Sequence, residues 1–249
     1  MKLAASTWPE IGAAETDLAV IPVGSTEQHG PHAVLGTDCF AAKAVAEEAV
    51  ERLDRPCILG PTIPVGVARE HRQFPGTLWV TENTFRAYVR ETCESLASHG
   101  WERIVLVNGH GGNVPALREL CGSFTRDQAG YAVPFTWFDA VDPSEMGLDI
   151  EMGHGGPFET SLVQHLDERN VRADQFDAAA ADGTDRWGEW QSGVNLAYDS
   201  AEFTENGVVG DPRDGSEATG EKLLDAAAEK LAELLRVVGQ RDISRPADR

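Results

Sequence analysis

Short apolar runs alternate with amphipathic stretches along most of the chain. Residues 18–23, Leu-Ala-Val-Ile-Pro-Val, form a continuous apolar run closed by Gly24-Ser25, which predicts a buried strand. Over residues 38–53 the period lengthens to that of a helix. Phe40, Ala44, Val45 and Ala49 share one side, and Glu47, Glu48, Glu51 and Arg52 lie largely on another. Residues 57–59 predict a second strand, stopped by Gly60-Pro61, and residues 83–98 a helix capped by Thr81 or Asn83. The clearest strand is 103–107, Arg-Ile-Val-Leu-Val. A helix over 114–126, a strand over 132–138 and a helix over 158–166 follow. The last helix, 221–238, carries Leu224, Leu231, Leu235 and Val238 on one face, with Thr219 and Gly220 before it and Gly239 after it. Strands alternating with helices of this length predict one three-layer α/β/α domain around a mostly parallel sheet. That domain spans residues 1–240, and 241–249 read as a tail. Residues 173–214, rich in Asp, Gly, Ala and Trp, have weak periodicity and predict a lid, a subunit contact or an excursion from the core.

Composition narrows the picture. A chain of 249 residues can bury a large core without staples, and 41% hydrophobic with 25% charged residues is a globular balance. No apolar run approaches a membrane span, and the first ten residues hold too short an apolar stretch for a secretory leader. The expectation is a cytoplasmic protein. Cys39, Cys57, Cys93 and Cys121 are scattered, with no C-x-x-C, and read as buried thiols. The formal net charge is −20, and the lysines are only Lys2, Lys43, Lys222 and Lys230. Such a field argues against a nucleic-acid partner and points to a salty cytoplasm, as in a halophilic archaeon.

Three segments concentrate polar chemistry. They are Gly24-Ser25-Thr26-Glu27-Gln28-His29-Gly30-Pro31-His32 with Gly36-Thr37-Asp38, then Asn108-Gly109-His110-Gly111-Gly112-Asn113, then Gly153-His154-Gly155-Gly156-Pro157-Phe158-Glu159-Thr160-Ser161. The first two leave the carboxyl ends of predicted strands, where open parallel sheets bind ligands. Glu27, His29, Asp38 and His110 can therefore converge. Carboxylates mixed with imidazoles, without thiolates, suit Zn²⁺, Mn²⁺ or Fe²⁺. Asp38 at a helix mouth has two oxygens with which to bridge a pair of ions. The competing readings are an exposed Glu-x-His loop and a Gly-rich phosphate cradle around His110, though the latter lacks the P-loop form and any nearby Lys. His32 is a supporting partner or an exposed turn residue, and His99 and His165 fall in helical stretches.

The first segment closely resembles the first motif of the creatininase (creatinine amidohydrolase) family. The second and third resemble that family's other two motifs, in order, over about residues 8–222. The resemblance implies a creatininase-like domain, two divalent ions per chain, and cleavage of an amide-type (cyclic amide or formamide) C–N bond by a hydroxide bridging the ions. It implies Glu27, His29, Asp38 and His110 as metal ligands, His154 as a proton carrier, and a homohexamer acting on a small-molecule amide. Creatininase proper has a Glu two residues after the second-motif histidine, where this chain has Gly112. Glu159 then becomes the expected extra ligand or a group orienting His154; otherwise it simply faces a helix N-terminus. No tryptophan stands just upstream of His154, in Gly147-Leu148-Asp149-Ile150, which argues against creatinine as substrate. The N-G-H-G-G-N form is similar to two other branches, a formamidopyrimidine-nucleotide deformylase of archaeal flavin and deazaflavin synthesis and a mycofactocin-type peptidase. Glu70-His71-Arg72-Gln73-Phe74-Pro75-Gly76-Thr77 resembles a substrate-side segment of the family. His32, Arg69, His71, Arg72 and Asn113 are accordingly substrate-side candidates, with Arg69, His71 and Arg72 either meeting an anion or forming a polar loop. A non-enzymatic metal- or phosphate-ligand-binding protein is the alternative class.

Overall fold

The computed structural model describes residues 1–244; residues 245–249, most of the expected tail, lie outside the described residues. Four strands form the central sheet: β1 (Leu18–Val23), β2 (Ile58–Leu59), β3 (Arg103–Asn108) and β4 (Tyr131–Thr136). Their order is β2-β1-β3-β4, and every pair is parallel. Among the described residues, seven α-helices accompany them: α1 (Trp8–Gly12), α2 (Thr37–Glu51), α3 (Glu82–Ala97), α4 (Val114–Arg126), α5 (Pro157–Leu166), α6 (Phe176–Ala181) and α7 (Glu217–Gln240).

The sheet has a core on each face, as strand alternation requires. Leu18, Val20, Val105 and Val107 pack with α2, α5 and α7. Ala19, Ile21, Val23, Ile104 and Leu106 pack with α3 and α4. All six residues of β1 are buried, which is why that strand reads as a continuous apolar run. The four cysteines are free and buried. No helix among the described residues is long and apolar enough to cross a membrane.

Helices α7 and α2 and strand β4 differ from the sequence reading in a boundary or a buried face. Helix α7 begins at Glu217, capped by the Ser216 hydroxyl, which accepts from Thr219 N. Gly220 does not precede the helix but lies within it, because a Cβ there would sit 2.0 Å from the Ser161 carbonyl oxygen of α5. The buried stripe of α7 runs through Leu223 rather than Leu224, with Leu231, Leu235 and Val238 continuing it. On α2 the buried side is Ala41, Ala42, Val45, Ala46 and Ala49, whereas Phe40 is 43% exposed. The strand expected over 132–138 ends at Thr136, where the chain turns.

Register places the site. Val23 pairs with Asn108, so β1 and β3 end level with each other, and Gly109 N donates to the Val23 carbonyl. The loops after both strands leave from one edge.

Candidate metal centre

Each side chain of the centre is set by a strand end or a helix start. Glu27 and His29 lie in the loop leaving β1. Asp38 sits in the first turn of α2, His110 just after β3, and Glu159 in the first turn of α5. Asp38 and Glu159 thus occupy favourable helix N-termini. His154 is anchored by a two-way backbone bridge with Val209 (2.9 and 2.8 Å). His71 ends a short 3-10 turn, 69–71.

Glycines permit the approach. At Gly109 a Cβ would lie 2.2 Å from the Asp38 carbonyl oxygen, a backbone atom that cannot swing away. This contact sets the spacing between α2 and β3, and hence between Asp38 and His110. Gly109→Ala is expected to cost about 3 kcal/mol or more in denaturant unfolding and to weaken metal affinity. A variant of unchanged stability and affinity would show that the contact does not set the spacing.

The cluster is dry and dense. Glu27, His29, Asp38, His110, His154 and Glu159 are all buried. His110 Nδ1 lies 3.0 Å from Glu27 Oε1 and 3.4 Å from Asp38 Oδ2. His29 Nε2 lies 3.0 Å from Asp38 Oδ1 and 3.7 Å from Glu159 Oε2. Asp38 therefore turns one oxygen to each imidazole. Glu27, Asp38 and His110 form one potential ligand set, and His29, His154 and Glu159 another. A third grouping joins Glu27, His71 and His154.

Hydrogen bonds to backbone carbonyls fix three ring orientations. His29 Nδ1 donates to the Glu27 carbonyl (3.2 Å), His110 Nε2 to that of Val67 (2.7 Å), and His154 Nε2 to that of Gln28 (2.6 Å). Each ring thus turns its other nitrogen to the centre, the orientation usual for metal-ligating histidines. Both Glu27 carboxylate oxygens and Asp38 Oδ2 are buried without a hydrogen-bond donor. Orphaned carboxylate oxygens facing such imidazoles fit a site built for cations.

Charge follows the same logic. Burial pushes the Asp38 carboxyl up to about 7, and the neighbouring Glu27 charge adds to it. Burial would also raise Glu27, but the His110, His71 and His154 rings hold it well below the usual carboxylate range. Burial opposes charge on His110, yet Glu27 and Asp38 raise it to about 10. Burial and the nearby His29 lower His154 to about 4; burial and His154 lower His71 to about 2. Without cations, protons on imidazoles balance the carboxylates.

A cavity of about 340 Å³ opens over the centre, lined by Glu70, His71, His110, His154, Glu159 and Trp187 among others. A second groove, about 600 Å³ between Trp8, Ile11, Leu96 and Trp101, lies at the opposite sheet edge and, among the described residues, gathers no carboxylate–imidazole cluster.

The remaining candidates fall elsewhere. His32 is buried beneath α5, its Nε2 2.9 Å from the Thr160 hydroxyl and its ring edge-on to Phe176. Asn113 uses its amide as a clamp, accepting from Val67 N (2.9 Å) and donating to Gly24 O and Asn108 Oδ1. Arg69 is exposed, and Arg72 pairs with Asp199 at 2.5 Å. His71 alone of the substrate-side group reaches the centre, 3.6 Å from Glu27 Oε1.

Sequence reasoning passed over Glu70, Gln28 and Trp187. Glu70 Oε1 is 2.7 Å from where a Gly112 Cβ would stand and 3.7 Å from His110 Nε2, so a carboxylate from another loop fills that space. Burial raises the Glu70 carboxyl. Its signal was present, since it directly precedes His71. Trp187 had none beyond composition.

The creatininase (creatinine amidohydrolase) family model matches residues 4–235. The chain belongs to the creatininase family. It is a hydrolase of C–N bonds, as that membership and its relatives indicate. It is 34% identical over 213 residues to the mycofactocin precursor peptide peptidase of Mycolicibacterium smegmatis, covering 83% of this chain and 79% of the relative. It is 33% identical over 186 residues to the creatinine amidohydrolase of Pseudomonas putida, covering 64% and 69%. A creatininase crystal structure shares the fold at TM-score 0.82 and 24% identity, covering 97% of this chain and 98% of that one. Other creatininase structures at TM-score 0.80 are a Zn-Zn form of a variant and a Mn form. In this creatininase-family protein the three polar motifs of the sequence all reach the one sheet edge.

Proposed function

We propose that the protein is a metal-dependent amidohydrolase holding two divalent ions. The observation that carries this reading is the convergence of three imidazole nitrogens, each set by a carbonyl bond on its far side, on buried carboxylates of which three oxygens have no hydrogen-bond donor. Glu27, Asp38 and His110 would hold one ion; His29, Asp38 and Glu159 would hold the other. Zinc, manganese and iron all suit this donor set. When bound, the ions polarise a carbonyl and lower the pKa of water towards about 7. The chain's own residues supply the rest. His154 Nδ1, left bare by the bond from Nε2 to Gln28, accepts the water's proton and delivers it to the leaving nitrogen. Glu159 is steadied by the Gly155 N–H (2.7 Å). Trp187, edge-on to His71 and His154, supplies an apolar wall of the cavity.

The substrate class is an amide or formamide small molecule, within the N-G-H-G-G-N branch. The acidic, lysine-poor surface supports a salty archaeal cytoplasm as its setting. Trp190, Val194, Leu196 and Tyr198, exposed around the hairpin of β5 (Trp190–Gln191) and β6 (Val194–Asn195), support a homo-oligomer, for which the family resemblance alone suggests a hexamer.

Elemental analysis of protein purified in high salt is expected to find about two ions per chain. Hydrolysis is to be assayed on creatinine, a formamidopyrimidine nucleotide and a mycofactocin-type precursor peptide. Chelation should abolish turnover of the true substrate, and Zn²⁺, Mn²⁺ or Fe²⁺ should restore it. Reloading at pH 7 should release protons, because cations replace those on His29 and His110. A metal-free protein that no ion rescues would overturn the reading.

A further inference from the structure

His71 has the opposite polarity to the other three histidines. Its Nδ1 lies 2.8 Å from Gln28 Nε2. That amide cannot be turned over, because Gln28 Oε1 accepts from Gly30 N (2.9 Å) while Nε2 also donates to the Gly207 carbonyl (3.1 Å). The amide nitrogen donates, so His71 Nδ1 accepts, and the ring's proton belongs on Nε2. Ser200 has one hydroxyl proton for two neighbours, the same Nδ1 at 2.9 Å and the Glu70 carbonyl at 3.0 Å, so the Gln28 amide is the contact that decides the tautomer. His71 Nε2 makes no hydrogen bond, standing 3.6 Å from Glu27 Oε1, and the residue is 1% exposed. Stacking on His154 at 4.2 Å and 18° locks the ring plane. A buried N–H that makes no hydrogen bond, beside His154 Nδ1 and lining the same cavity, is otherwise a costly arrangement.

The geometry points to His71 as a catalytic hydrogen-bond donor, whose Nε2–H holds the oxygen of the substrate carbonyl as it becomes an oxyanion, with Gln28 as the positioning residue that sets its tautomer. The proposal rests on the hydrolase reading above. Water's oxygen adds to the carbonyl carbon and its proton passes to His154 Nδ1. The C=O π pair moves to the oxygen facing His71. When the pair returns, the C–N bond breaks and nitrogen leaves with the proton from His154. His71 keeps its proton throughout. The alternative use of the same ring, as a ligand with Glu27 and His154, requires a bare Nε2 that the Gln28 contact forbids.

The outlying segment completes this arrangement. Gly207 has φ +81°, and a Cβ there would stand 2.1 Å from Gln28 Oε1. Ser200 and Gly207 both come from residues 173–214, which thus sets the polarity of a cavity group from outside the sheet.

Two measurements test the assignment. Long-range ¹H–¹⁵N spectra of the protein should show His71 protonated at Nε2, and Gln28→Glu should move that proton to Nδ1. An Nδ1–H form in the unsubstituted protein would overturn the proposal. In metal-loaded enzyme, His71→Ala should lower kcat about a hundredfold or more, with KM and metal content little changed; Gln28→Glu should lower kcat while retaining metal. Loss of an ion with His71→Ala would make His71 a ligand instead, and unchanged kcat would remove it from the reaction. If Gln28→Glu does not fold, Gln28→Met, which removes the donor, should give mixed tautomers and a smaller loss of kcat; a purely Nε2–H ring there would deny Gln28 its role. Parent enzyme without metal-dependent turnover would sink the hydrolase reading and the oxyanion role together, while the spectrum still decides the ring's polarity.

Discussion

Asp38→Ala protein prepared with excess metal is expected to retain little bound ion and no measurable turnover. Asp38 presents Oδ1 to His29 and Oδ2 to His110, so one residue serves both halves of the centre. Loss of a partner that merely supports a ligand costs about 10–100-fold in metal affinity, and removing a shared ligand should cost at least that for each ion. Elemental analysis and chelator-sensitive hydrolysis check the loss. A metallated, active variant would refute the bridging role. Asp38→Asn separates charge from shape. In the metal-free protein the Asp38 carboxyl is raised from 3.8 to about 7 by burial and by Glu27, so its ionisation opposes folding. Its contribution is therefore lost as pH rises through that window, and Asp38→Asn should flatten metal-free unfolding curves there. The metal-loaded comparison should run the other way, because bound ions stabilise only the folded unsubstituted chain.

Much of this was legible because the chemistry is local in sequence. Glu27, His29 and Asp38 share one segment, and β1 and β3 read as strands because burial on both faces leaves unbroken apolar runs. Their convergence with His110 follows from parallel strands ending at one edge. Helix boundaries were less legible where packing overrides local signals. Gly220 looks like a helix boundary, but close approach of α5 and α7 requires it mid-helix. Phe40 looks like core, but α2 buries an alanine-rich stripe whose contrast with its other side is small.

The polarity of the rings was not legible at all. Whether a histidine turns a bare nitrogen or an N–H to a cavity depends on what its far nitrogen meets. For His71 that partner is Gln28, with 43 residues of separation, and for His154 it is a backbone carbonyl 126 residues away. Likewise Ser200, Gly207 and Val209 lie in a stretch without periodicity, and only the folded chain shows them beneath the site.

His154→Ala is the second large effect expected, a loss of about 10²–10⁴-fold in turnover with both ions retained. Its Nε2 is committed to the Gln28 carbonyl at 2.6 Å, and its Nδ1 faces the cavity 3.9 Å from Glu27 Oε1. That nitrogen is within the same small cluster as His29 and Glu159, so two roles compete for it, ligand and proton carrier. The ligand sets built on Asp38 do not need it, because His29 and Glu159 already serve one side and Glu27 and His110 the other. Proton transfer does need it, since His29 and His110 turn their remaining protons to backbone carbonyls rather than to the cavity. Metal content separates the roles. Retained ions with slow turnover, partly rescued by added imidazole, assign the proton to His154; loss of one ion per chain assigns it to the metal, and Glu70 at the cavity wall, its carboxyl raised by burial, is then the group left to protonate the leaving nitrogen.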